Sequence, residues 1–161
     1  RFTGGLIEGI VAGGNVQDEA SSSLTETEFN TFIKTKAFNY GSSEKYFFCG
    51  STILGYIDTF AAAKLHMVPT DKTYGIEVRK YLTSHGTLNI VKHPMFDGQF
   101  SGMGAVVDLS TLKHCTLQNR DTVLQTNIQD KDADAEADQY LTEAGLQRVN
   151  MEKNALLKGV A

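Results

Sequence analysis

"YGIEVRKYLTSHGTLNIVKHPMF", residues 74–96, decides what kind of domain this chain builds. In its first half Ile76, Val78 and Lys80 oppose Glu77, Arg79 and Tyr81. Alternation of that kind is strand periodicity, because successive side chains of a strand point to opposite faces. "SHG" at 84–86 is a tight reversal, and "TLNIVKHPMF" at 87–96 returns as the second strand of a hairpin. Pro94 has no N–H to give to a ladder and ends or bends that strand. His93 stands at this end, with Lys92 on the opposite face.

Upstream of the hairpin the pattern is helical. In "LTETEFNTFIKTKAFNYG" Thr25 and Glu28 have the spacing of a capping box. Phe29, Phe32, Ile33 and Phe38 then follow at core-facing helical intervals. Lys34 and Lys36 fall late, where the helix dipole favours cations, and Gly41 is the expected stop. "KYFFCG" reads as a short buried strand. "STILGYIDTFAAAKLHM" reads as a second helix, with Ile53, Ile57 and Phe60 on one side and Ser51 or Thr52 as its cap. The opening "RFTGGLIEGIVAGG" is apolar and glycine-rich without a clear helix or strand signal, so it needs a covering surface. "NVQDEASSS" reads as a loop.

Downstream, "DGQFSGMG" is a loop, "AVVDL" a strand, and "STLKHCTL" a connector and strand. "DTVLQTNIQ" reads as a further strand, "DKDADAEAD" as a solvated acidic loop, and "QYLTEAGLQRVNMEKNALLKGVA" as a last strand or extended segment. Two helices followed by strands predict an α+β fold, with helices packed on an antiparallel sheet. No βαβ periodicity or internal repeat is seen. The expected core is Phe29, Phe32, Ile33, Phe47, Ile53, Ile57, Phe60, Ile76, Val78, Ile90, Val106 and Val107.

The 161 residues suffice for one domain with a real core, and the formal net charge of −4 disfavours both phosphate backbones and anionic membranes. No apolar run reaches membrane-spanning length. Cys49 and Cys115 have apolar neighbours and read as buried free thiols. The chain opens without Met and without a signal-peptide core, which predicts a piece of a longer protein.

The residues do not assemble into a known catalytic pattern. Asp130, Asp132 and Asp134 match the opening of an EF-hand loop, but Ala135 stands where its glycine belongs and Leu141 where its last glutamate belongs. His66, His85, His93 and His114 lack metal-ligand spacing, and neither cysteine has a CxxC partner. "GSSEK" and "FSGMG" are not nucleophile elbows, and "GGLIEG" is not a P-loop. Glu26 and Glu28 are explained by the first turn of their helix. Tyr46, Phe47 and Phe48 read as core rather than as a base-stacking platform. The expectation is therefore no catalytic, cofactor-binding or metal-binding residue, no cofactor and no enzymatic activity.

The ordered pieces "RFTGGLIEGI", "LTETEFNTFI", "KYFFCGSTILGYIDTF", "YGIEVRKYLTSHGTLNIVKHPMF", "GAVVDLSTLKHCTL" and "YLTEAGLQRVNMEKNALLKGV" together resemble the major capsid proteins of tailed bacteriophages with the HK97-like fold. The resemblance runs over nearly the whole chain and lies in the order of the pieces. It implies the C-terminal portion of a capsid subunit, with peripheral-domain character near 1–70 and 130–161 and axial-domain character near 71–129. It also implies pentamers and hexamers in an icosahedral shell around double-stranded DNA, without sequence-specific DNA contacts or a membrane. Scaffolding or decoration proteins would be further partners, with assembly in the host cytoplasm and residence in the virion. His93 would cap the hairpin end and Lys92 would make a rim contact. The alternatives are another virion component, such as a decoration or connector protein, a small hydrolytic enzyme built on His93, Asp97 and Ser101, and a cellular binding module.

Overall fold

The computed structural model describes residues 4–60, 65–67, 78–132 and 134–161. Its centre is a seven-stranded sheet formed by β1 (Val16–Ser22), β2 (Glu44–Cys49), β3 (Leu65–Met67), β4 (Val78–Thr83), β5 (Gly86–Lys92), β6 (Gly104–Val107) and β11 (Ala155–Val160). The spatial order is β1-β11-β6-β2-β5-β4-β3. The expected hairpin is there: β4 and β5 pair antiparallel from Val78↔Val91 to Thr83↔Gly86, closing on the two-residue turn Ser84–His85. Ile76 lies outside the described residues, as does the Val78 side chain.

The sheet is mixed rather than antiparallel. β2 runs parallel to β5, and β1 runs parallel to β11. Parallel neighbours need a long crossover. For β2 and β5 it comprises α3 (Ser51–Thr59) and the stretch leading through β3 and β4. Intervening strands hide this crossover from a search for simple βαβ periodicity.

Period-two burial sorts the core onto two faces. Phe47 and Cys49 of β2, Leu88 and Ile90 of β5, Val106 of β6, and Ala155 and Leu157 of β11 share one cluster with Phe29, Phe32 and Ile33 of α2 (Glu26–Phe32) and its continuation, and with Ile53 and Ile57 of α3. Phe29 is the hub, with ring centroids 5.6–6.4 Å from Phe32, Phe47, Phe60 and Tyr81. The opposite face carries Ala105, Val107 and Leu156 and is covered by Ile10 of α1 (Leu6–Ala12), with Leu6 and Ile7 beside it. All ten expected core residues whose side chains are described are buried.

The capping box of α2 forms as the spacing predicts. Thr25 Oγ1 accepts from the Glu28 amide at 3.3 Å, and Glu28 Oε2 accepts from the Thr25 amide at 2.9 Å. The helix then widens into a π-helical turn, Ile33–Ala37, closed by the Phe38 amide on the Ile33 carbonyl. It therefore stops before Gly41, whose φ of +96° marks the following turn instead. The second helix also ends early, at Thr59. Phe60 is extended, and Leu65–Met67 form a strand where helix was expected.

Two further corrections lie near the N-terminus. Residues 6–12 are helical because Leu6, Ile7 and Ile10 fall on one face that the sheet buries, which outweighs the poor propensity of glycine. The covering surface this segment needed is thus in the same chain. Residues 16–22, expected as a loop, form the polar edge strand β1, with left-handed backbone at Ala20 and Ser21. Such irregularity blunts an open sheet edge. Finally, the segment 139–161 holds three strands: β9 (Gln139–Leu141), β10 (Ala144–Arg148) and β11.

Candidate functional site

Among the described residues the ionisable group shifted furthest is Lys45, and it lies inside the core. In β2 the alternation places Lys45 on the same face as Phe47 and Cys49, and all three are buried. Its Nζ donates to the carbonyls of Ala37 at 2.6 Å, Tyr40 at 2.5 Å and Lys153 at 2.5 Å. The Phe38 ring centroid lies 5.6 Å away. Burial pushes the ammonium down to about 8, against the attraction of Asp108. Three N–H donors thus meet three acceptors.

Asp108 completes the cluster from the end of β6. Burial alone would raise its pKa, but hydrogen bonds from Ser110 and Ser42 prevail and hold it at about 2. Ser42 donates both its amide (3.1 Å) and hydroxyl (3.0 Å) to Oδ2, and Ser110 donates amide (3.0 Å) and hydroxyl (2.7 Å) to Oδ1. Asn154 accepts from the Asp108 amide at 2.7 Å and donates to Thr111 Oγ1 at 3.0 Å. Asn15 Nδ2 reaches the carbonyls of Lys36 at 2.9 Å and Asn154 at 2.6 Å. Gly41 is required here, since a Cβ would sit 2.8 Å from Asp108 Oδ2. The cluster pins the end of the π-turn to the segment before β11. Among the described residues no buried side-chain N or O lacks a partner. A perturbed lysine often marks a reactive site, but this one has its donors committed to backbone carbonyls, so its role is structural.

His93, Asp97 and Ser101 do not form a relay. The imidazole Nδ1 of His93 accepts from the Met95 amide at 3.2 Å, capping the 3-10 turn Pro94–Phe96, and its ring stands edge-on to Phe48 and Phe96. Asp97 Oδ1 instead accepts from Ser51, amide at 2.8 Å and hydroxyl at 2.7 Å. Those bonds, led by the one from the amide, hold its carboxyl below the usual range. Asp97 thereby supplies the cap of α3 that Ser51 or Thr52 was expected to give; Gly50 occupies the cap position itself. Lys92 is exposed and lies 3.8 Å from Asp97 Oδ2.

The acidic stretch is the tip of a ribbon. β7 (Leu112–Thr116) pairs with β10, and β8 (Val123–Gln125) with β9, both antiparallel. Arg120 and Glu143 form an ion pair at 3.1 Å between the two pairings, and the Ile128 amide bonds the Ala137 carbonyl beyond them. The ribbon joins the body at its base, where Arg148 Nη1 donates to the Gly5 carbonyl at 2.7 Å and Leu112 packs beneath α1. Between 112 and 148 no described residue is buried. Cys115, expected in a core, is therefore exposed, whereas Cys49 is buried. Among the described residues no three His, Cys, Asp or Glu side chains converge as metal ligands.

Two cavities open on the surface of the described residues. One of about 430 Å³ is lined by Leu6, Ile7, Phe48, His93, Phe96 and Ala105 and is nearly all apolar. Another, of about 500 Å³, lies open between α2 and the β4–β5 turn, with Lys34 and His85 at its rim.

No curated protein sequence matches this chain. Among solved structures it is similar to a protein assigned as a prophage capsid protein from E. coli CFT073, with a TM-score of 0.52 and 8% identity over 86% of this chain. The similarity covers 48% of that protein, so this chain spans about half its length. The model of the SU10 major capsid protein family matches residues 1–161, and the chain belongs to that family.

Proposed function

We propose that this chain is the C-terminal portion of the subunit that builds a tailed-phage head, a structural protein without enzymatic activity. The carrying observation is the family match along the whole chain. It is supported by the similarity of the fold to a solved prophage capsid protein. In this reading copies associate as pentamers and hexamers, in an HK97-like arrangement, into an icosahedral shell around double-stranded DNA. Scaffolding or decoration proteins are its further partners. Assembly takes place in the host cytoplasm and the product is the virion. Residues near 71–129 have axial character and those near 1–70 and 130–161 peripheral character. The central sheet draws strands from all three stretches.

A net charge of −4 fits a wall that encloses DNA without gripping it. The test is mass spectrometry of purified heads. Peptides of this chain should come from the most abundant band. Their recovery only at the copy number of a minor component would favour a decoration or connector protein, and their absence would overturn the reading.

A further inference from the structure

We infer that Pro94–Asp97 is a strap that opens as a local unit, hinged at Gly98 and latched by the Asp97 side chain onto the start of α3. The strap leaves β5 and crosses over the junction of β2 and α3. A Cβ on Gly50 would run into the Phe96 carbonyl, so glycine is what lets the two backbones pass. Both flanks are anchored. Before the strap the His93 amide donates to the Cys49 carbonyl at 3.0 Å, and after it the Val160 amide donates to the Gly102 carbonyl at 3.2 Å. Between those anchors, from 93 to 103, no residue is buried. A segment with so little buried surface opens at lower free energy than the core it crosses. Gly98 supplies the hinge: its φ is +79°, and a Cβ there would meet nothing within 4 Å.

The latch is one side chain. Asp97 Oδ1 takes both the amide and the hydroxyl of Ser51, at 2.8 and 2.7 Å. Beneath the strap, Phe96 and His93 wall the apolar cavity against Leu6, Ile7 and Phe48. The bond from the Met95 amide to His93 Nδ1 is internal to the turn and does not hold it to the body. Release therefore swings Phe96 outward and widens the cavity into an open apolar groove. Protonation of Asp97 is the trigger, since the bonds from Ser51 are strong while their acceptor is charged. Lys92 of β5 faces Asp97 at 3.8 Å, and Glu8 of α1 pairs instead with Arg148 at 3.9 Å. His93, the other titratable group of this turn, stands edge-on to Phe48 and Phe96. The bond from the Ser51 amide, with the other bonds and Lys92, lowers the Asp97 carboxyl below its ordinary 3.8. The latch is thus intact above pH 3.8 and lost as pH falls through the lowered value.

Amide hydrogen exchange of the full-length subunit, read residue by residue by NMR, tests this. At pH 6, Asp97→Ala should speed exchange at Ser51, at Phe96 and at position 97 together by about tenfold or more, the loss expected when hydrogen bonds to a charged group are removed. Ile90 and Val106, in the core strands, should keep their protection. Asp97→Asn retains an acceptor oxygen and should restore the strap at pH 6. In the wild type the same three amides should lose protection relative to Ile90 and Val106 as pH falls below 3.8, and in Asp97→Asn they should not. Faster exchange at Ser51 without Phe96 would mean a simple helix cap and would overturn the strap. Equal loss at Ile90 and Val106 would overturn it as a local unit. An acid response that persists in Asp97→Asn would overturn the trigger.

Discussion

Replacing Lys45 by methionine keeps the volume of the side chain and removes its charge. The Ala37, Tyr40 and Lys153 carbonyls then lose the only side-chain donor they share, inside a packed core. Breaking a buried charged cluster by removing one member costs about 3–5 kcal/mol. Against a total stability of about 5–15 kcal/mol this is a large fraction. At roughly 2–4 °C per kcal/mol for a domain of this size, the melting temperature should fall by roughly 6–20 °C. Urea titration of the purified chain at pH 7 measures the loss directly. The pH dependence gives an independent check. The folded-state pKa of Lys45 is about 8 and its ordinary value is 10.5, so between these limits the unfolded chain binds more protons. The wild type therefore gains stability as pH rises from 8 to 10.5, at most ~1.4 kcal/mol per pH unit, and the variant lacks this gain. The gap between the two should widen steadily across that range. A loss below ~1 kcal/mol at pH 7, or a gap that stays flat with pH, would refute the picture of a buried, carbonyl-saturated cation.

Other outcomes follow from the same geometry. Thr25→Ala removes the acceptor for the Glu28 amide and should cost about 1 kcal/mol by thermal melting. Gly104→Ala would drive a Cβ to 2.5 Å from the Phe47 ring and should destabilise by about 1–3 kcal/mol in the same assay. Asp108 is held at about 2, against an ordinary 3.8, so its contribution is present above pH 3.8 and lost as pH falls through about 2. Acid titration of Asp108→Asn should show that part of the acid sensitivity gone. Shortening the ribbon between 117 and 143 to a tight turn should leave the melting temperature of the subunit unchanged, because no described residue in that span is buried.

The hairpin, α2 and the core were legible because their signals are local. Alternation over 78–92, a two-residue reversal and a Thr25–Glu28 cap each determine geometry without distant partners. What escaped reading depends on tertiary cover. The helix at 6–12 exists because the sheet face bearing Ala105, Val107 and Leu156 buries Ile10. β1 exists because β11, more than a hundred residues away, offers it an edge. Cys115 looked like core from its neighbours, but its strand belongs to a ribbon in which no described residue is buried. Lys45 was the readable omission: the alternation that makes Phe47 and Cys49 core places it on the same face. The cap that Asp97 gives to Ser51, 46 positions away, could not be read from spacing.

Electron microscopy of the negatively stained full-length subunit, expressed and purified without other virion proteins and then together with its phage's assembly proteins, tests the shell reading most directly. Closed shells, or flat rings of five or six subunits, are predicted in at least one preparation. Uniform particles of single-subunit size in both would contradict it.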